Sequence, residues 1–249
     1  AGSLACRAGA ETLTFAPATL PHYRPPHPGI TRMFDVSFAR RQMIEQQVRA
    51  WEVLDLKVLD VLSQVPREEF VPAAYREIAF ADTWVPLAHG QCMLPPKLEG
   101  RILQALDIQP HEHALEVGTG SGFFAACLGQ LARSVRTIDL FPDFVAGATA
   151  TFARTGIHNV VAETADAMQF AERDAYDVIA LTGSLPVYDA RFERGLRVGG
   201  RLFACVGNGP MLEAIRVTRT GPSDWSRESL FETGMPALLH APEPSRFIF

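Results

Sequence analysis

Apolar positions along the chain follow two periods, and the change between them divides the sequence. From Ser37 the pattern is helical: Phe38, Ile44, Val48 and Trp51 stand in a polar background and predict one apolar face. A second short helix carries Leu56, Leu59 and Leu62 behind a capping Asp55. Two prolines then bracket a turn in Val65-Pro-Arg-Glu-Glu-Phe-Val-Pro72. Residues 73–100, with Pro86, Gly90, Pro95 and Pro96, read as irregular, the kind of segment that carries function on a rigid scaffold. From Ala114 short apolar runs alternate with amphipathic stretches. Strands are predicted at 114–117, 135–139, 160–163, 177–181 and 201–206, with helices at 123–131, 143–155 and 191–196 between them. Further strands are expected around 213–218, 229–232 and 245–249. Strand–helix alternation at this pitch predicts an α/β fold, a Rossmann-like, doubly wound and mostly parallel sheet with an N-terminal helical cap.

Residues 1–32 carry five prolines, no Lys and one acid, Glu11, with neither period. They read as a disordered Pro-rich leader, with Met33 in a place that suits a natural start. The expected organisation is therefore a leader (1–32), a helical segment with a substrate loop (33–100) and a Rossmann-like core (101–249). An apolar fraction of 47% is ample for a sizeable core. A net charge of −5, with no Lys/Arg cluster, argues against nucleic acid as the main partner. No apolar run is long enough to span a bilayer, so no membrane association is expected. Cys6, Cys92, Cys127 and Cys205 are scattered without zinc or redox spacing. The expectations are no metal, a cytoplasmic location and a monomer.

The chemistry concentrates in Glu116-Val-Gly-Thr-Gly-Ser-Gly122, which joins a strand to a helix. Glycine there permits a sharp turn and the close approach of a ligand. A dinucleotide fingerprint would place its third glycine at position 123, which is Phe. A phosphate loop would need a Lys followed by Ser or Thr, also absent. ExGxGxG is instead the spacing by which methyltransferases cradle the amino-acid end of S-adenosylmethionine. The candidate cofactor residues are thus Glu116, Gly118, Thr119, Gly120, Ser121 and Gly122. Asp139, at the end of the second strand, is placed to accept from both ribose hydroxyls of an adenosine. Asp166, beside Ala167 after the third strand, is placed to accept from an adenine amino group. All these positions fall at the carboxyl ends of successive strands, where open α/β sheets bind ligands.

From about Arg41 to Phe231 the chain resembles the protein-L-isoaspartate O-methyltransferases. The resemblance rests on the Val65–Pro72 segment, on Pro86-Leu-Ala-His-Gly-Gln91, on Leu115-Glu-Val-Gly-Thr-Gly-Ser-Gly-Phe123 and on Thr137-Ile-Asp139. It continues through Gly156-Ile-His-Asn-Val160, Tyr176-Asp-Val-Ile179 and Gly199-Gly-Arg-Leu202. It implies transfer of a methyl group from S-adenosyl-L-methionine to the free carboxylate of isoaspartyl residues in damaged proteins or peptides, which starts their repair. One departure stands in the substrate loop. Where the family usually reads Gly-Gln-Thr-Ile-Ser-Gln-Pro, this chain has Gly90-Gln-Cys-Met-Leu-Pro-Pro96, so Leu94 replaces the serine. The substrate-binding candidates are His89, Gln91, Leu94 and Thr182, and no residue is assigned a catalytic role. Two other readings stay open: a diverged methyltransferase with another acceptor, and a catalytically weak module that binds a cofactor or partner.

Overall fold

The structure is a computed structural model and describes residues 5–8, 11–14 and 35–244. Where composition predicts a disordered leader, it gives two strands, β1 (Ala5–Ala8) and β2 (Glu11–Thr14), paired antiparallel. The first helix, α1 (Val36–Met43), is capped by Asp35, whose carboxylate accepts from the Phe38 N–H at 3.0 Å. It runs on as a π turn over Ile44–Val48 and a 3-10 turn over Arg49–Trp51. The wider turn rotates the apolar stripe. Ile44 and Val48 are buried as expected, whereas Phe38 and Trp51 are 56% and 45% exposed, a correction to the predicted face. Trp51 instead receives the Lys97 ammonium 4.1 Å from its ring centre.

Asp55 caps α2 (Leu56–Gln64) as expected, accepting from the Lys57 N–H at 2.8 Å. The buried face is Val58, Leu59, Val61 and Leu62, and Leu56, first in the helix, is exposed. After α3 (Arg67–Phe70) and a 3-10 turn (Ala73–Ile78), a short antiparallel pair follows, β3 (Val85–Pro86) with β4 (Cys92–Met93). The next helix, α4 (Pro96–Leu106), lies in a stretch expected to be irregular and crosses the expected 100/101 boundary. Proline suits the first position of a helix, where its missing N–H has no partner to lose.

The main sheet uses β5 (His113–Val117), β6 (Ser134–Asp139), β7 (Val160–Thr164), β8 (Tyr176–Leu181), β9 (Leu196–Val206), β10 (Leu212–Arg219) and β11 (Trp225–Thr233). Between them lie α5 (Phe123–Leu131), α6 (Pro142–Thr155) and α7 (Ala190–Glu193). The order is β11-β10-β9-β8-β5-β6-β7, parallel from β9 to β7, with β10 and β11 added as antiparallel hairpin strands. The predicted helix at 191–196 is shorter because β9 already starts at Leu196 and passes Gly199 at a φ of +87°. The strand expected at 245–249 lies outside the described residues.

Both faces of the central strands β5, β8 and β9 are buried, and the residues alternate between them. Val178 and Ala180 of β8, with Phe203 and Cys205 of β9, join the cluster under α1, α2, α4, α5 and α6. Ile179, Leu181, Leu202 and Ala204 join Phe170, Phe192 and Leu196 on the other side. Near-continuous apolar runs in β8 and β9 follow from this two-sided cover. Among the described residues no helix is long and apolar enough to cross a membrane. At β5 the connectivity reverses direction, since β6 lies on one side and β8 on the other. That reversal opens a crevice at the carboxyl ends of the strands.

Candidate active site

The crevice begins at the loop after β5. Gly118 has a φ of +107°, and a Cβ there would collide with the Thr182 hydroxyl. That hydroxyl lies 2.8 Å from the Val117 and Gly118 carbonyls, to which it donates. Thr182 thus ties β8 to the loop. Gly118 and Thr119 donate their N–H groups to the Ile138 carbonyl at 2.8 and 3.3 Å. Gly122, at a φ of +86°, would place a Cβ 2.8 Å from that of Ala148 and 3.0 Å from the Phe152 ring. Its absence of side chain serves the packing of α5 on α6, and it does not line the crevice.

Asp139 ends β6 with both carboxylate oxygens engaged. Oδ2 accepts from the Gly120 N–H at 2.9 Å and Oδ1 from the Phe141 N–H at 3.0 Å. Burial raises its pKa, opposed by these N–H groups. Each oxygen still has a lone pair for a further donor. Glu116 is wholly buried among helix-facing residues. Its Oε2 accepts from the Thr137 hydroxyl at 2.5 Å, and Thr137 in turn accepts from Thr119 at 2.7 Å. Its Oε1 has no partner among the described residues. Burial drives the Glu116 carboxyl well above its ordinary range; Thr137 opposes this, while the charges of Asp139 and Glu99 add to it.

Glu116, Gly118, Thr119, Gly120, Ser121, Asp139, Asp166 and Ala167 all line one crevice, with Gln91, Leu94 and Thr182. Asp166 accepts from the Met168 N–H at 2.9 Å and lies 2.9 Å from His240 Nδ1. Burial raises its pKa, but His240 and the N–H bond outweigh that and lower it. His89 is not among the lining residues. Its Nε2 is 2.9 Å from the Asp143 carboxylate, and its ring stacks on Phe141 with centres 4.0 Å apart. It clasps the 87–91 loop to the start of α6. Gln91 lines the crevice and donates to the His89 carbonyl at 3.2 Å.

Three groups of lining residues were not anticipated from sequence. Phe124, Phe141 and Phe144 give one wall aromatic character, and Glu99 of α4 adds a buried carboxylate. Residues 236–239 close another side. They are anchored where Ser184 donates to the Met235 carbonyl and Leu238 donates back to Ser184, each at 2.9 Å. The one sequence signal was Gly183, where a Cβ would overlap Leu238.

A seven-stranded sheet with this loop, a buried acid before it and an acid ending the next strand defines the class of S-adenosylmethionine-dependent methyltransferases. The fold matches a crystal structure of a Plasmodium falciparum protein-L-isoaspartate O-methyltransferase in complex with S-adenosyl-L-homocysteine. The TM-score is 0.69 at 19% identity, covering 80% of this chain and 97% of that one. A curated protein-L-isoaspartate O-methyltransferase of Rhodopseudomonas palustris is 34% identical over 210 residues, 82% of this chain and 96% of the relative. One from Koribacter versatilis is 36% identical over 181 residues, 72% and 81% of the two chains. The sequence profile described as Protein-L-isoaspartate(D-aspartate) O-methyltransferase (PCMT) matches residues 39–230. The chain belongs to that family and is a methyltransferase.

Proposed function

We propose that this chain methylates the side-chain carboxylate of isoaspartyl residues in damaged proteins and peptides, with S-adenosyl-L-methionine as donor. The observation that carries the donor half is the Glu116 Oε1, buried in the wall of the crevice without a partner among the described residues. A lone carboxylate oxygen in such a place is costly unless a donor meets it. An ammonium group at the amino-acid end of the donor supplies one. The lone pairs left on Asp139 suit a pair of ribose hydroxyls, and Asp166 retains capacity for an amino group beside Ala167. When bound, the donor supplies an electrophilic methyl on a sulfonium centre.

The residues of this chain then have to place an acceptor and keep water out. A carboxylate acceptor is ionised at neutral pH, so no general base is required. Alignment alone can supply roughly 7–11 kcal/mol in favourable cases. Gln91 is the polar side chain on the acceptor wall, and His89 fixes the loop that carries it through Asp143 and Phe141. A reducing, cytoplasmic setting and a monomeric state complete the reading; the buried free thiols of Cys127 and Cys205 support the first.

A second reading, another acceptor on the same scaffold, is favoured by one observation. Leu94 lines the crevice at 6% exposure and offers no hydrogen bond. The deciding test is a tritiated-methyl assay on an isoaspartyl peptide beside its aspartyl counterpart. Label should enter only the isoaspartyl peptide. No label in either, with the demethylated cofactor bound tightly, refutes the repair reading.

A further inference from the structure

Arg67 is fully buried in the Val65–Pro72 segment, yet it does not line the crevice. Its guanidinium spends its fork on three elements. Nε donates to the Ala79 carbonyl at 2.8 Å, Nη2 donates to the Leu94 carbonyl at 2.7 Å, and Nη1 pairs with Glu99 of α4. The guanidinium carbon sits 4.6 Å from the centre of the Phe123 ring, the first residue after the glycine loop. One side chain thereby touches the backbone of the substrate loop, the carboxylate of the crevice wall and the start of α5.

Stability does not account for such a device. Desolvating two ions is expensive, and a well-packed apolar replacement of a buried pair is often neutral or stabilising. A planar fork with several fixed donors does what an apolar side chain cannot, which is to set the path of a backbone at two points. The Leu94 side chain lines the crevice and offers no hydrogen bond, so the path of this loop has to be set through its backbone. Glu99 also faces the crevice, where an unpaired negative charge would repel an anionic acceptor.

We propose that Arg67 is the positioning residue of the acceptor site: it fixes the substrate loop through the Leu94 carbonyl and neutralises Glu99, so that a carboxylate can enter beside it. The proposal rests on the carboxylate-acceptor reading given above. Arg67 touches no reacting atom and acts through Leu94 and Glu99.

The test replaces the whole pair, Arg67→Met with Glu99→Met, which leaves no buried charge behind. This variant should fold with a melting temperature at or above wild type, and it is assayed at saturating cofactor. Its kcat/KM on an isoaspartyl peptide should fall roughly tenfold or more, with kcat lowered as well as KM raised, as expected when an alignment device is lost. Amide hydrogen exchange at residues 91–94 should quicken in the same variant. Wild-type kcat/KM with unchanged exchange overturns the proposal. If the wild-type protein methylates no isoaspartyl peptide, the functional reading has failed, and the exchange measurement still decides whether Arg67 holds the loop. Should the double variant not fold, Arg67→Lys takes its place: it keeps the charge but loses the fork. A peptide kcat/KM lowered severalfold with cofactor affinity retained then supports positioning, and an unchanged kcat/KM overturns it.

Discussion

Around the glycine loop the polar groups, the Glu116 Oε1 excepted, are paired with named partners: Asp139 with Gly120 and Phe141, Thr182 with Val117 and Gly118, Thr137 with Glu116. Across the crevice, residues 87–94 present Leu87, Met93 and Leu94, and the polar work there falls to Gln91, to backbone and to a side chain behind the wall. The cofactor half is therefore specified by residue chemistry at fixed backbone positions, and the acceptor half by the path of a loop. Substitutions on the first side should act on cofactor affinity, and on the second side on acceptor turnover.

The largest effect should come from Asp139→Ala. It removes a charged acceptor from a largely buried site and leaves the Gly120 N–H without its partner. Affinity for S-adenosyl-L-homocysteine should fall by about 1–3 kcal/mol, read by calorimetry. Equal affinity in mutant and wild type would break the comparison at its stronger half.

Glu116→Gln should also weaken binding, and it carries a pH signature. The raised carboxyl holds a proton in the free protein above the ordinary carboxylate range. Its contribution to stability is present at low pH and is lost as pH climbs from the unfolded value to the raised folded one. Binding of an ammonium group ionises it, so calorimetry in buffers of different ionisation heat should show proton release for wild type. The Gln variant should show none, and its free form should be the more stable of the two near neutral pH. Release that persists in the variant assigns the proton to another group.

Leu94→Ser addresses the acceptor half. A restored orienting hydrogen bond is worth about 0.5–1.5 kcal/mol, so kcat/KM on an isoaspartyl peptide should rise roughly two- to tenfold. Cofactor affinity should not change, and the melting temperature should drop as a buried apolar side chain is lost. A fall in turnover at intact cofactor affinity would mean that the wall serves an acceptor other than this one. The smallest effect is expected from removing residues 1–32. Among the described residues, those that line the crevice fall between Leu87 and Leu239, so cofactor affinity should stay within experimental error of the full chain. A clear loss would bring the leader into the site.

The sheet was legible because β5, β6, β7 and β8 begin as short apolar runs with turn residues on either side, and they pair in parallel as that alternation with helices predicts. The glycine loop and Asp139 were legible for a related reason: backbone conformation and strand ends limit which residues fit. Other features depended on contacts far apart in sequence. Arg67 and Glu99 are 32 residues apart, and Asp166 meets His240 across 74. No local pattern announces either pair. The π turn at Ile44–Val48 changes the helical phase, so a constant period misassigned Phe38 and Trp51. Pro95-Pro96 looked like a break in the chain and is a helix start. His89 carried the right residue type in the right loop, but its ring is spent on Phe141 and Asp143 rather than on the crevice.

The reversal at β5 also bears on how the protein is made. The crevice needs β5 flanked by β6 and β8, and Thr182 reaches back across 65 residues to the Val117 carbonyl. Parallel neighbours cannot zip together from a hairpin, so such contacts form slowly. A growing chain on the ribosome has no complete pocket until the residues after β8 have emerged. Cofactor captured then binds only the assembled sheet, and at a concentration 100 times its Kd it would hold that sheet by about 2.7 kcal/mol. Cellular supply of the methyl donor thus becomes a determinant of how long each newly folded copy survives.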